Sequence, residues 1–219
     1  MSRYKRKQNT REEKQLFIIS VEGEITEKEY LEAFLKNEFK CTPNEVHIEI
    51  LHTINGESSP QHVLDRLKIK ADEFELNETD NLWVVIDVDR WGDSKLSTIA
   101  QLCSQKNYKL AVSNPCFELW LLLHLIKGTN KEELLPQVEK KGITPDKKNL
   151  KERIDKIRIK KYQSRTNHGY SMFFNDSRVA LAINNAKLLD TNPEGRYPNS
   201  TSTRVYLLAE ELIKFITNL

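Results

Sequence analysis

The sequence predicts an α/β protein: a mainly parallel four-stranded sheet with helices on both faces, followed by a C-terminal helical extension. Two observations support this prediction. Short apolar runs alternate four times with helical patterns over residues 15–126, and the segments between the runs are long enough for crossover connections. Beyond residue 126 the strand pattern fades and helical patterns continue.

Each predicted strand is a short apolar run that precedes a helical pattern. Thr26 opens an S/T-x-x-E capping box, and Ser59 with Pro60 forms a second typical helix start. Asn114 with Pro115 is expected to cap an apolar helix, CFELWLLLHL, whose side chains are mostly core. The four strands are QLFIISV (15–21), VHIEIL (46–51), LWVVIDVDRWGD (82–93, with two aspartates at the strand end) and YKLAVSN (108–114).

Charge is distributed unevenly along the chain, although the net charge is only +2. Residues 1–14 carry a net charge of +4 and residues 140–165 a net charge of +8, which leaves −10 for the rest. We therefore divide the chain into a basic N-terminal arm (1–14), an α/β domain (15–126) and a basic, mainly helical region (127–219). Basic segments are either solvated helix faces or contacts to the phosphates of a nucleic acid.

Composition narrows the class of protein. Hydrophobic residues make up 38% of the chain and charged residues 30%, and no apolar run reaches the roughly 18 residues of a membrane span. The three cysteines lie far apart, so neither a disulfide framework nor a zinc knot is expected. These features predict a cytoplasmic protein without a membrane partner.

Acidic residues end two of the predicted strands. Glu22 follows the first strand, and Asp87 and Asp89 end the third, where alternate residues point to the same side. The carboxyl ends of parallel strands meet at one edge of a sheet, so the three carboxylates converge if these strands are neighbours. A cluster of that kind needs a divalent cation, and hard oxygen ligands suit Mg²⁺ or Mn²⁺. The chemistry to expect at such an ion is phosphoryl transfer.

Two polar residues interrupt the apolar helix after the fourth strand. Glu118 is expected in its first turn, near the acidic edge, as an additional ligand or a supporting group. His124 is expected to be a hydrogen-bonded core histidine rather than a general base. The same helix is a candidate surface for a second copy or a partner if it is not wholly buried.

The basic run also contains aromatic residues, as expected for a surface that binds single-stranded nucleic acid. Lys160, Lys161 and Arg165 are candidates to bind the backbone, and Tyr162 and Tyr170 are candidates to stack on unpaired bases. Arg204 lies in NSTSTRVY, a segment that either caps the last helix, which we prefer, or adds a phosphate contact.

VEGEITEKEYLEAF, followed about 65 residues later by VVIDVDRW, resembles a Toprim domain, the metal-binding fold of topoisomerases, primases and OLD-type nucleases. The resemblance implies that Glu22, Asp87 and Asp89 form the catalytic acidic triad. Glu27 resembles a further acidic position of the OLD-like nucleases, or it is a first-turn carboxylate favoured by the helix dipole.

A likeness over nearly the whole chain is more specific. VEGEITEKEY, IDVDRW, SNPCFELWLLLH and NSTSTRVYLL together resemble the RloB family. This resemblance implies a Mg²⁺-dependent nuclease that acts on RNA, such as tRNA, or on DNA in bacterial antiphage defence by abortive infection. The alternative is a non-catalytic module that senses nucleic acid or a nucleotide and docks on a separate ATPase. The chain itself has no P-loop motif.

Overall fold

A computed structural model gives the architecture of the chain. It describes residues 15–38, 46–53, 56, 59–88, 91–139, 145–162, 169–174 and 177–217. The predicted basic arm, 1–14, lies outside these ranges.

In the described residues, five strands form one sheet in the order β2-β1-β3-β4-β5. The first four are parallel to one another and correspond to the four predicted runs, which confirms the mainly parallel sheet. The fifth was not predicted, because two residues carry no periodic pattern, and it pairs antiparallel with β4. The strands are β1 (Gln15–Val21), β2 (Val46–Leu51), β3 (Asn81–Asp87), β4 (Lys109–Asn114) and β5 (Ser202–Thr203).

Eight α-helices and one 3₁₀ helix lie in the described residues. Both the crossover helices and the helical character of the C-terminal region agree with the sequence prediction. The α-helices are α1 (Thr26–Glu38), α2 (Pro60–Ala71), α3 (Asp93–Gln105), α4 (Glu118–Leu123), α5 (Lys131–Val138), α6 (Lys147–Tyr162), α7 (Arg178–Leu189) and α8 (Val205–Thr217), and the 3₁₀ helix is Gly169–Phe173. None of the helices described is both long enough and apolar enough to cross a membrane.

Each face of the sheet has its own hydrophobic core, because successive residues of a strand point to opposite faces. Ile18 and Val84 face a smaller core that is closed by α2 and α3. Ile19 and Val85 face a larger core that is closed by α1 and by the helices from α4 to α8. Residues beyond 126 therefore share a core with the sheet, and the C-terminal region covers one of its faces.

Two predicted helix starts have different outcomes. Ser59 caps α2 as predicted, since its hydroxyl accepts the N–H of His62 at 3.3 Å and Pro60 follows in the first turn. Asn114 does not cap α4: it ends β4, and its side-chain amide donates to the carbonyl of Pro198 at 3.3 Å. The helix instead begins at Glu118.

All six residues of α4 are buried. Contacts with α6 and α7 cover the helix, so the condition under which it would offer a surface to a partner, incomplete burial, is not met. Burial of Leu119, Trp120 and Leu123 confirms instead that the apolar run is core.

Candidate active site

The register of the sheet brings the ends of β1 and β3 together. Val21 pairs with Val85, and the backbone N–H of Glu22 donates to the carbonyl of Val85 at 3.0 Å. The condition for convergence, that the first and third strands are neighbours, is thereby confirmed. In addition, Oε2 of Glu22 accepts the backbone N–H of Asp87 at 2.9 Å.

A second donor holds the carboxylate of Glu22. Trp91 Nε1–H donates to Oε1 at 3.0 Å, and Thr53 Oγ1 donates to the backbone carbonyl of Glu22 at 2.7 Å. Arg66 supports the same loop by donating to the carbonyl of Val21 at 2.8 Å. Trp91 has no predicted role, although it follows the predicted acidic motif by two residues.

Four carboxylate side chains are buried at this edge of the sheet. Their exposed fractions are 8% for Glu22, 2% for Glu27, 4% for Asp87 and 1% for Glu118. Burial raises the pKa of Asp87 well above its usual value, and the charges of Glu27 and Glu22 raise it further. The folded protein therefore opposes ionisation of Asp87 as long as no extra cation is present.

Glu27 belongs to this cluster rather than to the solvated first turn of α1. Burial is the largest cause that raises its pKa, and the charge of Glu118 adds to it, while Lys147 and Lys151 act in the opposite direction. The carboxylate lies against the backbone of Gly23, where an added Cβ would be 1.6 Å from Oε2 of Glu27. Gly23 is thus required for the space it leaves, not for a left-handed turn.

Glu118 has cations as its main partners. Its oxygens lie 3.6 Å from Lys147 Nζ and 3.4 Å from Lys151 Nζ, and the weak thiol donor of Cys116 is also nearby. Neither oxygen accepts an N–H or O–H hydrogen bond from the described residues. A buried carboxylate with unused acceptor capacity is a candidate to bind a ligand.

Lys147 is the cation at the centre of the acidic site. Its Nζ lies 3.8 Å from Oδ2 of Asp87 as well as 3.6 Å from Glu118. Burial lowers the pKa of Lys147, but the charges of Asp87, Glu118 and Glu27 outweigh this effect and raise it. Sequence reasoning placed Lys147 in the basic run without assigning it to the site. The signal that points to it is the need of a buried acidic cluster for a nearby cation.

The predicted metal triad is only partly within the described residues. Glu22 and Asp87 are in direct contact, whereas Asp89 lies outside the described ranges. Among the residues that are described, no three His, Cys, Asp or Glu side chains are arranged to hold a metal ion. The side chains at this edge nevertheless fit a hard divalent cation, because they are carboxylates. Both oxygens of the Glu118 carboxylate also lack an N–H or O–H donor among the described residues. The triad stays a prediction.

Of the predicted cationic contacts to nucleic acid, Arg204 is the one whose side chain lies in the described part of the structure. Lys160, Lys161 and Tyr162 form the end of α6, with side chains outside the described part, and Arg165 lies outside the described ranges altogether. Arg204 is 4% exposed.

The guanidinium of Arg204 has partners inside the protein. Its Nε donates to Oδ2 of Asp190 at 3.0 Å, and its other nitrogens donate to the carbonyls of Asn192 and Gly195. An arginine bound in this way stabilises the fold. The prediction that Arg204 contacts a phosphate of nucleic acid is therefore wrong. The preferred alternative, that the segment caps the last helix, agrees with the hydroxyl of Thr203, which accepts the N–H of Val205 at 3.3 Å.

His124 is a core histidine, as preferred from the sequence. Its Nδ1 is 2.8 Å from the carbonyl of Trp120 and its Nε2 is 3.1 Å from the hydroxyl of Tyr30. Burial lowers the pKa of His124 to about 3.

Comparison with known proteins identifies a family. The family model described as "RloB-like protein" matches residues 17–212, a range that runs from β1 into α8 and includes all four buried carboxylates. Searches of the curated proteins and of the solved structures gave no significant match. Because the family model covers most of the chain, this protein belongs to the RloB-like family.

Proposed function

We propose that the protein is a Toprim-type, metal-dependent nuclease that hydrolyses or transfers phosphodiester bonds. The observation that carries the proposal is the burial of Glu22, Glu27, Asp87 and Glu118 at the carboxyl edge of a parallel sheet, where Lys147 lies close to Asp87 and Glu118. Clustered buried carboxylates destabilise a fold unless cations or hydrogen-bond donors compensate them, and such clusters are typical of sites that bind a ligand or carry out a reaction.

In this proposal Glu22, Asp87 and Asp89 hold Mg²⁺ or Mn²⁺. The bound ion would polarise the phosphodiester and favour ionisation of the water that attacks it. The hydrogen bonds from Asp87 N–H and Trp91 Nε1–H fix the carboxylate of Glu22 before a cation binds. An ion at this edge would also offset the repulsion that raises the pKa of Asp87.

The remaining polar residues act on protons and charge. Glu27, whose pKa is raised chiefly by burial, is placed to accept a proton from water or a hydroxyl. Lys147 carries a fixed positive charge between Asp87 and Glu118, where it would stabilise negative charge that develops on the phosphate.

Nucleic acid is the substrate that this surface favours. Lys147 is the first residue of α6, and Lys148 and Lys151 expose their side chains in the first turns of the same helix. Cations beside the acidic site are suited to the backbone of RNA, such as tRNA, or of DNA. We place this activity in the cytoplasm, in keeping with the free thiols of Cys103 and Cys116. As the process we propose antiphage defence by abortive infection.

One experiment tests the nuclease. Purified full-length protein is incubated with labelled tRNA and with single-stranded DNA in Mg²⁺, Mn²⁺ or EDTA, next to Asp87→Asn and the exposed control Asp72→Asn. We expect cleavage that EDTA and Asp87→Asn abolish and that Asp72→Asn retains. Cleavage that persists in EDTA or in the Asp87→Asn variant would contradict the proposed metal-dependent mechanism.

A second measurement does not depend on turnover. Mg²⁺ or Mn²⁺ should raise the Tm of the wild type and of Asp72→Asn by mass action, but not that of Asp87→Asn. The absence of any metal effect on the wild type would remove the metal site and leave a sensing module as the better explanation of the fold.

A further inference from the structure

A cavity of about 660 Å³ lies between α1, α4, α6 and the 3₁₀ helix, next to the acidic site. Glu118 and Lys151 line the cavity, and Glu118 also contacts Lys147 of the acidic site. Its volume lies within the roughly 300–1,000 Å³ of typical small-molecule sites. A ligand in the cavity would therefore be the immediate neighbour of the proposed reaction centre.

The cavity offers an apolar and aromatic lining to such a ligand. Leu121, Ile154 and Phe173 contribute apolar surface, and Tyr170 lies beside Phe173 with ring centroids 5.9 Å apart. Surfaces of this composition are suited to a flat ring, and nucleobases stack on aromatic side chains whatever their sequence.

Charge determines which part of a nucleotide fits. Within the described residues the lining contains four acidic side chains and two basic ones, a balance that disfavours a phosphate and favours N–H donors. A base meets that requirement, and its phosphate must then lie outside the cavity. The acidic residues are Glu29, Glu32, Glu118 and Asp155, and the basic ones are Lys36 and Lys151.

We propose that the cavity holds one unpaired base of the nucleic-acid substrate, and that Glu118 accepts an N–H of its exocyclic amino group. This proposal rests on the nuclease function above and adds a base preference to it. Cytosine, adenine and guanine carry such an amino group, whereas uracil offers a carbonyl oxygen at the corresponding position. The buried oxygens of Glu118 accept no N–H or O–H hydrogen bond from the described residues, and the exposed Lys151 lies 3.4 Å from Oε1, so the amino group of the base would take the place of Lys151 beside this oxygen.

The position of the cavity agrees with this assignment. Oε2 of Glu118 is 3.6 Å from Lys147 Nζ, which in turn is 3.8 Å from Oδ2 of Asp87. A base bound at Glu118 thus brings the adjoining phosphate towards the residues that are proposed to act on it. Lys151, whose side chain is 53% exposed, is placed to contact that phosphate at the mouth of the cavity.

Binding without cleavage tests the base preference. The full chain is titrated in EDTA with fluorescein-labelled octamers of cytidine and of uridine, and fluorescence anisotropy gives the Kd of each. We expect the cytidine octamer to bind at least about fivefold more tightly. In Glu118→Gln the amide can donate to the uracil carbonyl, so the preference should disappear or reverse. Equal affinities in the wild type, absence of binding to both octamers, or an unchanged preference in Glu118→Gln overturns the proposal.

A filled cavity provides the second test. Ala33→Trp places an indole among the lining residues, and Ala180→Trp makes the same change on the exposed surface of α7. We expect the first variant to bind the cytidine octamer about tenfold or more weakly and the second to bind it as the wild type does. A folded Ala33→Trp variant with wild-type affinity overturns the proposal. If that variant does not fold, the ratio of the Kd values of Glu118→Gln for the two octamers decides.

The experiments distinguish failure of the nuclease proposal from failure of the base-site proposal. All octamer measurements are made without metal, so they do not depend on catalysis. A cytidine preference in a protein that cleaves nothing would retain the base site and reject the nuclease, whereas cleavage without a preference would do the opposite.

Discussion

The carboxylate of Glu22 accepts the backbone N–H of Asp87, with 2.9 Å between Oε2 and the nitrogen. The end of β1 is thereby bonded to the end of β3 by a charged side chain in addition to the strand pairing. Both residues of the contact are proposed ligands, so their relative position is fixed by the protein before a cation arrives. Such preorganisation makes the supporting donors testable.

Trp91 is the first of these donors. Trp91→Phe keeps an aromatic ring but removes the N–H that Oε1 of Glu22 accepts at 3.0 Å. Loss of a group that orients a metal ligand typically costs about 10–100-fold in metal affinity, which we expect for Mn²⁺ by isothermal titration calorimetry. Trp83→Phe is the matched control, because its indole N–H has no hydrogen-bond partner among the described residues. Equal losses in the two variants would refute a specific role for Trp91.

Asp87→Asn should stabilise the metal-free protein. The pKa of Asp87 is raised in the folded state, chiefly by burial, so the unfolded chain releases this proton at a lower pH than the folded chain does. Stability contributed by the protonated carboxyl is thus complete at low pH and declines as the pH rises. Asparagine cannot ionise. In EDTA the Tm of the Asp87→Asn variant should therefore exceed that of the wild type, by a margin that grows from pH 5 to pH 8.

Each kcal/mol of that margin corresponds to about 2–4 °C in a chain of this size. Thermal melts of both proteins across the pH range provide the measurement. A variant that is less stable than the wild type throughout would show that Asp87 contributes to the fold rather than only to function.

Lys147→Met should destabilise the protein in proportion to the ionisation of its neighbours. The substitution leaves Asp87, Glu27 and Glu118 buried without their central cation. Because the side chain of Lys147 is 33% exposed, we expect a loss of about 1–3 kcal/mol, less than for a fully buried pair, and a larger loss at pH 8 than at pH 6. Urea unfolding at the two pH values measures it, and Lys148→Met, at the exposed neighbouring position, is the control. Equal effects of the two substitutions would contradict a specific role for Lys147.

Much of this architecture was predictable, for reasons that differ between elements. β1 to β4 and α2 follow from apolar runs and a Ser-Pro start, which are local signals. Glu22 and Asp87 were predictable because strand ends of a parallel sheet share an edge. Lys147 was assigned only to the basic run because its role depends on packing α6 against α4, a long-range contact that no periodicity encodes. For the same reason Arg204 could not be recognised as buried.

Gly23→Ala should displace a carboxylate rather than distort the backbone. An alanine Cβ would lie 1.6 Å from Oε2 of Glu27, so that side chain must leave its position. We expect cleavage of the preferred substrate to fall to the level of Glu27→Ala. The double variant should then show no further loss, as expected when both changes remove the same interaction. Additive losses would mean that Gly23 acts independently of Glu27.

His124→Gln should reduce the acid sensitivity of the fold. Burial lowers the pKa of His124 to about 3 from the usual 6.5, so the unfolded chain binds this proton as the pH falls while the folded chain does not. The stability associated with the neutral ring is present above pH 6.5 and is lost towards pH 3. Between pH 7 and pH 5 the wild type should therefore lose about 2 kcal/mol more than the variant. Denaturant titrations at both pH values measure the difference, and parallel losses would exclude His124 as the cause.

The two residues of β5 have a consequence for solubility. Ser113 and Asn114 of β4 pair with β5, and the N–H of Arg204 donates to the carbonyl of Val112 at 2.9 Å. These contacts occupy part of the outer edge of β4, which would otherwise present free backbone groups to another chain. Removal of the segment from Asp190 onward would uncover that edge together with the large core beneath α8. We expect such a truncated chain to aggregate through strand addition even where its remaining helices still form.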